Sequence, residues 1–302
     1  MRRATRLARR RRKQKGGTRK HKSKQPDPGP SQCHPSMKQP HAHGCLPLEV
    51  MRSAAQKLEI DNNLTGKPLR DAMNAKLNLN TPGERTFLEA LPLDPQEKKS
   101  LAKQYLRPPM PKSWISDPDM WLDSNNIADV MNQYEEAFTK DGVKEFEFMG
   151  PFPIDFSAPD PYVKDPKKCL MHEVCDINLP KMTEKGIKYI GTVYNLDPHF
   201  KSGSHWVASF IDIPNHECYF FDSYGQVPEP QIANFMKWLT TQDPKMKLKY
   251  NKRALQKSNT ECGMYCIYMI IRMLEGDSFV QITRRKPNDD DMLDYRDWLF
   301  ST

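Results

Sequence analysis

A histidine, an aspartate, a glutamine and a cysteine follow one another in that order in the last hundred residues or so of this 302-residue sequence, at His205, Asp222, Gln256 and Cys262. Their types suit nucleophilic attack on an acyl carbon. A thiol needs a base to take its proton, the base needs an acid to orient it, and the oxyanion that forms needs neutral donors. Cys262 lies in SNTECGMYCIYMI, where Ser258, Asn259 or Thr260 is placed to cap a helix starting near the cysteine. The free N–H groups and partial positive charge of a helix start favour a thiolate. Gly263 leaves the neighbouring backbone open, so the Cys262 amide can serve as one oxyanion donor and Gln256 as another.

Each residue alone also has an ordinary reading: His205 as a satisfied histidine, Asp222 as a turn former before Ser223, Tyr224 and Gly225, Gln256 as a solvated strand end, and Cys262 with Cys266 as small core residues. The surrounding elements join the four. HWVASFIDI and ECYFFDSY have the composition of strands, and Pro214 with Asn215 between them predicts an antiparallel hairpin. His205 opens the first strand and Asp222 closes the second, so base and acid meet at the open end. GIKYIGTVYNL and KLKYNKRAL predict further strands, QIANFMKWLTTQ an amphipathic helix, CGMYCIYMIIRMLEG a buried helix, and Asn288 caps a last helix in DDDMLDYRDWLF. The mixture predicts an α+β fold.

With these elements assigned, the order HW, FFDSYG, Gln256, ECGMYC resembles the Ulp1 and adenovirus-protease clan of cysteine peptidases over roughly residues 110–302. The resemblance implies a central mixed sheet flanked by helices and a catalytic set of His205, Asp222, Gln256 and Cys262. It also implies a narrow substrate tunnel flanked by Trp206 and by Trp121 of WLDSNNIADVMNQY. The sequence departs from the family at Asp123, two residues after Trp121 where the family usually has its acid three after, and at Glu261, where many members have Asp. FMGPFPIDF, the basic tail and the closing DDDMLDYRDWLF are more similar to the maturation proteases of large DNA viruses of poxvirus and asfarvirus type. That similarity implies cleavage of structural precursors after small residues of Gly-Gly-X type, in the virion and host cytoplasm. A cellular SUMO or ubiquitin-like deconjugating protease of nucleus or cytoplasm is the alternative. No metal and no cofactor is implied.

Composition divides the chain. Residues 1–24 carry thirteen Lys or Arg and no acid; taking these from the 46 basic residues leaves 33 against 38 acidic ones. The basic balance is therefore a property of the tail, the one place where contact with a polyanion is expected. A virion nucleic-acid-binding protein acting through that tail is a second reading, and an acyltransferase on the same Cys–His–acid site a third. Arg/Lys runs with Gly, Pro, Ser and Gln predict disorder over 1–44, with Gly16-Gly17-Thr18 as a candidate self-cleavage site. Helix-like apolar spacing predicts a helical arm over 45–108, with Pro68 opening one helix and Asp94-Pro95 another, and 109–302 forms the catalytic domain. No run is apolar enough to span a membrane or serve as a secretory signal, so a soluble intracellular protein is expected. Seven cysteines without regular spacing predict free thiols in a reducing compartment. Cys33, His34, His41, His43 and Cys45 match no tight zinc pattern, and Cys169, His172 and Cys175 fit a helix or loop better than a site.

Overall fold

Strands that are apolar at nearly every position belong to sheets covered on both faces, and the centre of this chain holds two of them. The computed structural model describes residues 31–302, apart from 38, 162, 166, 167, 285 and 286. An N-terminal arm carries α1 (Leu48–Lys57), α2 (Gly66–Lys76), α3 (Glu84–Ala90) and α4 (Pro95–Tyr105). There follow α5 (Ser113–Ser116), α6 (Ser124–Ala137), the short pair β1 (Thr139–Lys140) and β2 (Val143–Lys144), then β3 (Phe146–Pro153), α7 (His172–Cys175) and α8 (Leu179–Glu184). The remainder is β4 (Tyr189–Asn195), β5 (Trp206–Asp212), β6 (Glu217–Phe221), α9 (Pro230–Gln242), β7 (Lys247–Tyr250), α10 (Cys262–Leu274), α11 (Phe279–Arg284) and α12 (Asp289–Leu299).

The main sheet has the order β3-β4-β5-β6-β7, parallel at its two outer pairings and antiparallel within. The expected hairpin is its centre: Ala208 pairs with Phe221 and Asp212 with Glu217, around the Pro214-Asn215 turn. Side chains alternate between two apolar clusters. Ala208, Phe210 and Phe221 face α10, all of whose residues are buried, while Val207, Ile211 and Phe220 pack under α9. This is the α+β, mixed-sheet architecture expected from the sequence. No helix among the described residues is long and apolar enough to cross a membrane.

Pro95 starts α4 with the Asp94 side chain accepting from the amides of Gln96 and Glu97, as its sequence predicts. In contrast, Pro68 lies inside α2, whose N-cap is Thr65. The disorder expected over 1–44 is corrected for the described residues of 31–44. Cys33 and Cys45 are buried in the arm's own apolar cluster, and a backbone bridge joins Cys33 to Leu106. Residues 1–30, with the basic tail and Gly16-Gly17-Thr18, lie outside the described residues.

The expectation of free thiols is also corrected. Cys33–Cys45 and Cys169–Cys175 are disulfides with Cα separations of 5.3 and 6.3 Å, leaving Cys218, Cys262 and Cys266 as thiols among the described residues. A reversal between His41 and Gly44, paired by backbone hydrogen bonds, returns the chain so that Cys45 meets Cys33. Disulfides persist in oxidising surroundings, so the cysteine count carries no argument for a reducing compartment. The arm meets the rest of the chain at its last residues: the amides of Arg85 and Thr86 donate to the Thr302 carbonyl oxygen at 2.8 and 3.0 Å.

Candidate active site

The pairing of β5 with β6 sets His205 and Asp222 at the same end of the hairpin, just outside the two strands. His205 Nε2 lies 2.7 Å from Asp222 Oδ1. The buried carboxylate also accepts the amides of Tyr224, at 3.0 Å, and Gln226, at 3.1 Å, so three hydrogen bonds hold it. Asn251 fixes the backbone at the same point, accepting the Asp222 amide at 3.0 Å and donating to the Asp222 carbonyl at 2.6 Å. Gly225 makes this turn possible: its φ is +73°, and a Cβ there would sit 2.6 Å from the Arg253 carbonyl carbon.

Cys262 is the first residue of α10 and reaches the same imidazole. With Nε2 engaged by Asp222, Nδ1 is the nitrogen left for the thiol. Burial pulls the His205 pKa down, but the hydrogen bonds and charges of Asp222 and Cys262 outweigh it and hold the imidazole up at about 9. Cys266, one turn along α10, is pushed well above the ordinary thiol range, first by burial and then by the charges of Cys262 and Asp222. Of the two cysteines on this helix, only Cys262 faces the base.

None of Ser258, Asn259 and Thr260 caps α10, contrary to the sequence expectation. Glu261 holds the N-cap position without a capping side-chain bond, because its carboxylate is turned inward to Arg296. Gln256, expected as an oxyanion donor, is buried and its amide is oriented from both sides. The Ser223 hydroxyl donates to Oε1 at 2.6 Å, and Nε2 donates to the Ser258 carbonyl at 3.0 Å. One Nε2 hydrogen is left over for a ligand. Tyr224 stacks on the His205 ring with centroids 4.9 Å apart and donates its hydroxyl to the same Ser258 carbonyl.

Trp121 and Trp206 line one cleft of about 420 Å³, together with Phe152, Met171, Asn195 and Lys201. Trp206 is buried and donates Nε1 to the Leu122 carbonyl at 3.0 Å, and Gly263 lies beneath it, where a Cβ would come 3.3 Å from the Trp206 ring. Asp123 is the N-cap of α6 in a reciprocal capping box with Asn126. Its side chain is thus engaged in capping the helix that follows. The metal-cluster candidates are otherwise employed: the cysteines are paired, His43 Nε2 bonds the Leu46 carbonyl, and His34 Nε2 lies 3.3 Å from Glu136.

Residues 181–300 match the Ulp1 protease family, C-terminal catalytic domain. That span contains all four of the residues just described. Over residues 181–300 the chain is similar to an Ulp1-family cysteine peptidase domain. The chain is 37% identical over 172 residues to a protein of Acanthamoeba polyphaga mimivirus that carries a thiol-protease name, covering 54% of this chain and 50% of that one. It is 28% identical over 130 residues to a protein of African swine fever virus named SUMO-1 cysteine protease, covering 40% and 46%. The chain thus spans about half the length of the curated relatives it matches. The crystal structure of ASFV pS273R protease superposes with a TM-score of 0.57 at 19% identity, over 90% of this chain and 96% of that one, a likeness of fold that extends through the N-terminal arm.

Four residues that bond to the site or to its flanking segment are not singled out by the sequence: Ser223 to Gln256, Asn251 to Asp222, Asp289 to Ser258 and Arg296 to Glu261. Ser223 had a signal, since it adjoins Asp222, but the others act across distances in the chain that no local motif marks.

Proposed function

We propose that the chain is a cysteine endopeptidase that cleaves after small residues of Gly-Gly-X type and processes viral structural precursors. The observation that carries the chemistry is the imidazole of His205 held between Asp222 and Cys262. His205 takes the Cys262 proton, and Sγ attacks the scissile carbonyl carbon. The oxyanion is held by the Cys262 amide and the free Nε2 hydrogen of Gln256. The imidazolium gives its proton to the leaving amine, and water, deprotonated by His205, then hydrolyses the thioester. Support for a small residue at the scissile bond comes from the cleft between Trp121 and Trp206. Support for the viral role comes from the viral origin of the relatives, with the virion and host cytoplasm as its setting.

Cys262→Ala or Cys262→Ser is expected to abolish cleavage of a Gly-Gly-X peptide; full activity in either overturns the reading. The name of the African swine fever virus relative favours a second reading, deconjugation of a SUMO-like modifier. Turnover of capsid precursors against modifier conjugates decides between them, and cleavage confined to conjugates removes the maturation role. Polyanion binding is proposed for residues 1–24 alone, and truncating them should leave peptide cleavage intact. Self-cleavage after Gly17 would appear as an N-terminus at Thr18 in wild-type protein and not in Cys262→Ala.

A further inference from the structure

Glu261 immediately precedes the nucleophile, yet its carboxylate is buried and makes a two-pronged ion pair with Arg296 of α12. Arg296 Nη2 lies 2.8 Å from Oε1 and Nε lies 3.1 Å from Oε2. The same guanidinium reaches the other way, where Nη1 donates to the carbonyls of Pro118, at 3.1 Å, and Met120, at 2.7 Å. Its Cζ lies over the Trp114 ring, 4.5 Å from the ring centroid. Met120 leads directly into Trp121 and Leu122, the cleft wall that Trp206 holds through its indole N–H. One side chain therefore ties the residue before the nucleophile to the backbone that leads into the cleft wall.

The first residue of α12 grips the segment just before Glu261. Asp289 accepts the amides of Lys257, at 3.1 Å, and Ser258, at 2.8 Å, and the Tyr265 hydroxyl at 3.1 Å. A buried ion pair is a costly way to gain stability, since apolar residues of similar volume often do as well or better. What a rigid guanidinium fork supplies, and an apolar contact lacks, is fixed direction and distance to several acceptors at once.

We propose that Arg296 is a positioning residue that sets the separation between Cys262 and the cleft wall carrying Trp121. This rests on the peptidase reading. Because a displacement of about 1 Å at a reacting centre can cost on the order of 10²-fold, the pair acts on rate and substrate affinity beyond its effect on stability.

The test uses the double variant Glu261→Leu/Arg296→Met in the full chain, which replaces the ion pair by an apolar one. It is read by thermal unfolding, by kcat and KM on a Gly-Gly-X peptide, and by the rate of iodoacetamide alkylation at Cys262. The expected result is a midpoint at or above that of wild type, with kcat/KM reduced on the order of 10- to 10²-fold, KM raised and alkylation slowed. A well-folded double variant with wild-type cleavage and alkylation overturns the proposal. Should the double variant fail to fold, Arg296→Lys serves: it keeps the cation but cannot span Glu261 and both carbonyls. Lost cleavage and slowed alkylation in it support the proposal, while a lowered midpoint with wild-type values of both overturns it. A wild-type chain that cleaves no peptide would instead sink the peptidase reading, and the alkylation rates would then judge Arg296 alone.

Discussion

The Ser223 hydroxyl donates to Gln256 Oε1 at 2.6 Å, while the Ser258 carbonyl, which can only accept, takes Gln256 Nε2 at 3.0 Å and so decides which way round the amide lies. With Oε1 capped and Nε2 bonded to the Ser258 carbonyl, the amide keeps one N–H for a further acceptor. Flipping it would set two acceptors, Oε1 and the Ser258 carbonyl oxygen, against each other.

Gln256→Ala should therefore lower kcat on the order of 10²-fold, the usual cost of one oxyanion donor. Ser223→Ala should cost less, roughly tenfold, since it removes one of the two bonds that hold the amide but leaves the bond to the Ser258 carbonyl in place. Steady-state kinetics on one peptide checks both. Ser223→Ala at the wild-type rate would show that the amide needs no orientation from it.

The pH dependence follows from the balance at His205. Burial acts to lower its pKa, and Asp222 and Cys262 raise it to about 9. A histidine raised above its unfolded value of about 6.5 contributes stability that is fully present below that pH and lost as pH rises through about 9. The gap in unfolding midpoint between wild type and Asp222→Asn should be widest near pH 6 and close towards pH 10, roughly spanning those two pKa values. In activity, Asp222→Asn leaves burial opposed by Cys262 alone, so the alkaline limb of kcat/KM should move down by roughly one to three pH units. A gap that stays constant across the range, or an unmoved limb, would contradict the assigned coupling.

The Cys33–Cys45 bond closes a loop of twelve residues in sequence separation onto the arm's apolar cluster. Replacing both cysteines with serine should destabilise the arm by roughly 2–4 kcal/mol, the usual contribution of a bond closing a loop of this size. Denaturant unfolding followed by hydrogen exchange in α1 to α4 reads this directly. Peptide mapping without reductant checks the bond itself, and free thiols at both positions would remove the prediction.

Local structure was legible in the order of residues. The apolar runs of β4 and β5, the Pro214-Asn215 turn, the Asp94-Pro95 and Asn288 caps and the helix beginning at Cys262 are specified by residues within a turn or two of one another. That is why the hairpin, and with it the meeting of His205 and Asp222, could be read from the order of residues alone. Tertiary structure decided the rest. Nothing within four residues of Glu261 signals that it will abandon capping for Arg296, 35 positions away, or that Asp289 will hold the amides of Lys257 and Ser258. The described residues of 31–44 have the composition of a free tail, and they are ordered by an arm that offers Cys33 a partner and an apolar pocket. The physical reason is the same in each case: periodicity and turn chemistry are properties of consecutive residues. The partner of a buried charge or a thiol is set by which elements the sheet order and helix packing bring together.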